Sequence, residues 1–174
     1  MEKLFKKIIN SSQKGTTMIE LLLYMGILTI LLTSLTSILV SALDVQSESQ
    51  ATSGVEEDGN YILARLDYDI HRASSINIPA TNGGTANNFQ ITVGGINYTY
   101  SVDANNNLVL TNDLGTNNLN SYGSSVSALL VQRFGNVGGV ENTLQINFTV
   151  TSRTKRISGF ETKGFNTNIS LRRQ

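Results

Sequence analysis

"KGTTMIELLLYMGILTILLTSLTSILVSALD" runs from Lys14 to Asp44, and its reading decides the fold. Between Glu20 and Asp44 lie twenty-three residues without a charge. A helix of that length spans roughly 35 Å, enough to cross a bilayer. Glu20 stands at the head of the run, and a carboxylate is costly inside a lipid-facing helix. Upstream, Lys3, Lys6, Lys7 and Lys14 stand against Glu2. The positive-inside rule keeps that basic leader in the cytoplasm and puts the C-terminal remainder outside it.

Three readings of this boundary are open. A secretory signal peptide would be cut near Val40-Ser41-Ala42, but the apolar run exceeds the ~7–15 residues of a signal core. A plain single-span anchor explains the length and leaves Glu20 without a purpose. A segment cut on the cytoplasmic side, just ahead of the apolar run, uses both Lys14-Gly15 and the glutamate five residues after the glycine.

That third pattern resembles the class III signal of the type IV prepilin and pseudopilin family. The resemblance implies that a membrane peptidase cuts after Gly15. Thr16 then becomes the new N-terminus and is N-methylated, and Glu20 takes the place of the family glutamate. The apolar run from Leu21 matches the assembly helix. A freed α-amino group has a pKa of about 7.7–8 and is mostly cationic at neutral pH. A carboxylate about 4 Å from it gains roughly 4 kcal/mol at an effective dielectric near 20, before desolvation is counted. Such a pair between neighbouring subunits sets axial register more than stability. The implied partners are the prepilin peptidase, other pilins or pseudopilins in a helical filament, and an inner-membrane assembly platform driven by an ATPase. The membrane is a further partner through residues 21–43. The implied location is the inner membrane in a single pass, with the C-terminal domain outside the cytoplasm, and then the pilus or pseudopilus. Two departures stand out. Thr16 replaces the usual Phe or Met, and Ser37 occupies the region where major pilins carry a helix-bending proline.

Beyond Asp44, Val55, Gly59, Ile62, Leu66, Ile70 and Ala73 recur at helical spacing. Glu56, Glu57, Asp58, Asp67 and Asp69 are expected mostly off that face. The pattern predicts a helix from about Thr17 to Ser74, weakened near Ser53-Gly54 and Gly59-Asn60, with its amphipathic half inside residues 44–76. Pro79 and Thr81-Asn82-Gly83-Gly84 end it. Period-two segments follow: Phe89–Val93, Ile96–Val102, Leu108–Thr111, Ala128–Phe134, Leu144–Val150 and Phe165–Arg172. Asp103–Asn107 reads as a turn and Asp113–Ser125 as a long loop. The expected fold is α+β: a long N-terminal helix, transmembrane then amphipathic, packed on one antiparallel sheet of about five or six strands within residues 77–174. Asp69 with Ala73, and Thr167 with Leu171 and Arg172, are similar to motifs of J-type minor pseudopilins and W-type minor pilins.

No catalytic set, metal site or cofactor is expected. The chain has no cysteine and one histidine, His71. On a helix Asp67 and His71 share a face while Asp69 points elsewhere. Net charge is zero but polarised. Asp44 to Asp69 holds seven acids against Arg65. The stretch from Glu141 onward holds six bases (Arg153, Lys155, Arg156, Lys163, Arg172, Arg173) against two acids. That basic end suggests an alternative, a filament-tip adhesin or DNA-binding minor pilin, although it has no packed Lys/Arg run and nucleic-acid binding is unsupported. A non-assembling, single-span anchored β domain is the remaining alternative.

Overall fold

The computed structural model describes residues 16–135 and 142–171. One helix, α1 (Met18–Arg72), is followed by nine strands among the described residues. The fold is α+β, a long N-terminal helix with two antiparallel sheets. The chain divides into two compact units between Leu43 and Asp44.

In the first unit, α1 begins where Thr17 caps it. The Thr17 hydroxyl oxygen accepts the Glu20 N–H at 3.3 Å, and its carbonyl accepts the Leu21 N–H at 3.1 Å. Thr17 and Glu20 have the spacing of a capping box, and an acid in the first turn suits the helix dipole. From Leu21 to Leu43 the large apolar side chains are half exposed or more. None of the apolar window is buried within the chain.

In the second unit, α1 buries Ala51, Val55, Asp58, Gly59, Ile62, Leu66, Asp69 and Ile70. These positions fall on one helical face, as the spacing requires. The expected weak points do not interrupt the helix. Gly59 is a seat for a ring: a Cβ there would lie 2.0 Å from Phe165 Cζ. The helix ends at Arg72, not Ser74, and Ala73 opens β1 (Ala73–Ile78) directly. The Ile78-Pro79 peptide is cis.

The expected single sheet is two. The first has the order β1-β3-β4-β5-β6, adding β3 (Phe89–Val93), β4 (Ile96–Val102), β5 (Leu108–Asn112) and β6 (Gly115–Asn118). The second has the order β2-β7-β8-β9, from β2 (Thr85–Ala86), β7 (Ser124–Gly135), β8 (Asn142–Arg156) and β9 (Gly159–Ser170). The Asp113–Ser125 stretch is therefore not one loop, because β6 lies inside it. Strand β8 alternates cleanly, burying Leu144, Ile146, Phe148, Val150 and Ser152. In β7 the alternation slips by one at Ala128, whose φ is 52°. Val126 is buried before that bulge, and Leu129 and Val131 after it. The core joins the helix face to both sheets, with stacked rings at Phe89–Tyr100 and Phe148–Phe165.

Candidate functional site

Gly15 lies outside the described residues. Thr16 is exposed and precedes the helix. Glu20 occupies the third position of α1, where its backbone N–H is capped by Thr17. Its carboxylate is turned along the helix, and Oε1 accepts the Tyr24 hydroxyl at 2.9 Å. Tyr24 was missed in the sequence, although it stands one helical turn after Glu20.

Further along, the hydroxyls turn inward on their own backbone. Thr29 donates to the Met25 carbonyl at 2.7 Å, Thr33 to Thr29 at 2.8 Å, Thr36 to Leu32 at 2.9 Å and Ser37 to Thr33 at 3.0 Å. Each polar group is thereby satisfied inside the helix, as an apolar surrounding demands. What remains facing outward is methyl and methylene surface with a shallow groove at Thr29, Leu32, Thr33 and Thr36. Small side chains of this kind allow close helix approach.

In the second unit, of the five acids expected mostly off the helix face, Asp58 and Asp69 lie on it. Asp58 Oδ2 accepts the Ser121 N–H at 3.1 Å, the Ser121 hydroxyl at 2.7 Å and the Ser124 hydroxyl at 2.5 Å. Asp69 is fully buried and its Oδ2 accepts Arg65 Nε–H at 2.7 Å and the Tyr100 hydroxyl. Its Oδ1 has no hydrogen-bond partner among the described residues. The signal was present in the spacing: Asp58 is three residues after Val55, and Asp69 three after Leu66. Burial, and then the bond to Asp69, push the Tyr100 phenol far above its usual value. Burial disfavours the Arg65 charge, but the Asp69 carboxylate beside it outweighs that and raises its pKa. These carboxylates fasten the helix to both sheets.

Other candidates have ordinary roles. His71 Nδ1 lies 2.8 Å from the Asp67 carbonyl and 3.3 Å from Asp67 Oδ1, on an exposed face. Among the described residues no group of three His, Asp or Glu side chains converges as metal donors would. In the Asp103–Asn107 turn, Asp103 Oδ1 accepts the backbone N–H groups of Asn105 and Asn107 at 2.9 and 2.7 Å. The Asn107 bond does most to hold the Asp103 carboxyl below its usual range. Three described bases of the C-terminal region are engaged within the chain. Lys163 pairs with Glu56 at 2.7 Å, and Arg156 with Glu48 at 3.2 Å and Glu161 at 2.5 Å. Arg153 donates to the Asn105 carbonyl at 2.9 Å. Arg172 and Arg173 lie outside the described residues.

No protein family, curated protein or solved structure matches the chain.

Proposed function

We propose that this chain is a structural subunit, a minor pilin or pseudopilin. It enters the inner membrane through residues 21–43, is cut after Gly15, and assembles through its N-terminal helix into a type IV pilus-like filament or secretion pseudopilus. The observation that carries the reading is a continuous helix with two unlike halves. The half beyond Asp44 buries its face in the chain's own core. The half before it leaves twenty-three uncharged residues uncovered, with Glu20 at their head. Uncovered apolar surface of that extent needs lipid or other helices. Glu20 serves the new Thr16 amine of a neighbour, exchanging its Tyr24 contact for a charge-assisted one. The partners are the prepilin peptidase, sister subunits and the assembly platform.

The test is Glu20→Ala in cells that make the filament. Cleavage after Gly15 proceeds normally, and incorporation into sheared or pelleted filaments falls several-fold. Unchanged incorporation contradicts the role given to Glu20.

A further inference from the structure

The β8–β9 hairpin turns through Ile157-Ser158, and Ile157 is 85% exposed. Hairpin turns favour Gly, Asn and Asp. This chain follows that rule at Gly94-Gly95 and at Asp103–Asn107. The β8–β9 tip departs from it with a bare isoleucine and half-exposed Phe160 just past it, as the β5–β6 tip does with Leu114, so it is the place of Ile157 along α1 that sets it apart.

Contacts with α1 show where the tip sits. Phe165 packs at Gly59, Lys163 pairs with Glu56, and Arg156 pairs with Glu48. The hairpin thus runs back along the helix toward its earlier residues. At its end Lys155, Arg156, Ile157 and Ser158 share a pocket of about 290 Å³ with Asp44, Ser47 and Glu48. Asp44 is the first residue after the uncharged run. From Asp44 to Glu48 the helix rises only about 6 Å. The headgroup layer on each face of a bilayer is roughly 5–8 Å deep.

We propose that the β8–β9 tip is a membrane contact, with Ile157 seated in the phospholipid headgroup layer beside the point where the helix leaves the bilayer. The proposal rests on residues 21–43 spanning the membrane. The contact is apolar, not electrostatic. Arg156 is held between Glu48 and Glu161, Asp44 lies beside it, and Lys155 is the base left to reach phosphate. It therefore does not depend on anionic lipid.

The chain has no cysteine, so single-cysteine variants can carry a fluorophore at one position. Leu32→Cys, Ile157→Cys and Leu114→Cys of the full chain are compared in phosphatidylcholine vesicles. Leu114 is the reference, at 88% exposure on the β5–β6 turn. That hairpin points the other way. Leu108 is held by Asn120, next to the Ser121 that binds Asp58, and Leu110 pairs with Tyr100 at Asp69. The expected result is several-fold quenching of Leu32→Cys by acyl-chain spin labels and of Ile157→Cys by headgroup spin labels, with Leu114→Cys unaffected. If Leu32→Cys is quenched while Ile157→Cys behaves like Leu114→Cys, the contact is overturned and the span stands. If Leu32→Cys escapes quenching, the span falls and takes the contact with it. Shielding of Ile157→Cys that follows protein density, not the lipid quencher, identifies a second copy as the cover and overturns the proposal.

Discussion

The two halves of α1 share one backbone and treat polar side chains in opposite ways. Before Asp44 the polar groups are hydroxyls, and Thr29, Thr33, Thr36 and Ser37 close onto carbonyls of their own helix. After Asp44 the buried polar groups are carboxylates. Asp58 and Asp69 reach across to Ser121, Ser124 and Tyr100. A hydroxyl satisfied within the helix leaves the outer surface free to meet any apolar neighbour. A carboxylate satisfied across elements fixes one neighbour and one orientation. The first half is thus suited to exchange lipid for sister helices, and the second to hold a permanent core.

The sharpest way to break this comparison is to cut a large side chain from each half. Leu66→Ala opens the core and is expected to lower stability by about 2–5 kcal/mol. Leu32→Ala is expected to change it by less than about 0.5 kcal/mol, since no core covers Leu32. Denaturant unfolding of the detergent-solubilised full chain, followed by near-UV circular dichroism, distinguishes the two. Equal losses would mean that the first half also has a core within the chain.

A smaller effect is expected from Gly59→Val. Its Cβ would meet the Phe165 ring at 2.0–2.4 Å, so helix and β9 must part. Overpacking of that kind costs about 1–3 kcal/mol. Gly26, with nothing within 4 Å of its Cβ position, should accept the same change without loss of stability. A comparable loss at both glycines would remove the contrast.

Tyr100→Phe removes one of the two donors to Asp69 among the described residues, leaving Arg65, and is expected to cost about 1–3 kcal/mol. The same contact predicts a pH effect. The folded pKa of Tyr100 is raised above 10.0, so its contribution is complete below pH 10.0. Above that the unfolded chain releases the phenolic proton while the folded chain keeps it, and stability falls as pH rises. Tyr100→Phe should flatten that part of the stability–pH curve. An unchanged slope would contradict the raised pKa. The smallest effect belongs to Thr33→Val, which removes a bond internal to the helix and should leave the unfolding curve within about 0.5 kcal/mol.

Much of the fold was legible because its signals are local. The β3 and β4 bounds follow directly from period-two runs, and the helix follows from its 3.6 period. What was not legible depends on pairing at a distance or on broken patterns. The bulge at Ala128 shifts the parity of β7, so its first residues did not read as strand. Strand β6, Gly-Thr-Asn-Asn, is exposed throughout and offers no alternation. Ala73 continues the helical spacing of Ile70, yet it begins β1. Asp58 and Asp69 were readable from spacing, each three residues after a core position of the face, although the acids as a group were expected mostly off it. At the N-terminus, Glu20 was conspicuous by its charge. Its tie to Tyr24 and its cap at Thr17 needed coordinates.

The central claim is that Gly15 ends a leader and Thr16 begins the working protein. Intact-mass analysis of the protein extracted from membranes, with and without an active prepilin peptidase, tests it most directly. The account predicts a chain that begins at Thr16 when the peptidase is active and at Met1 when it is not. A chain that begins at Met1 in both, or at Leu43 after a cut behind Ala42, would contradict it.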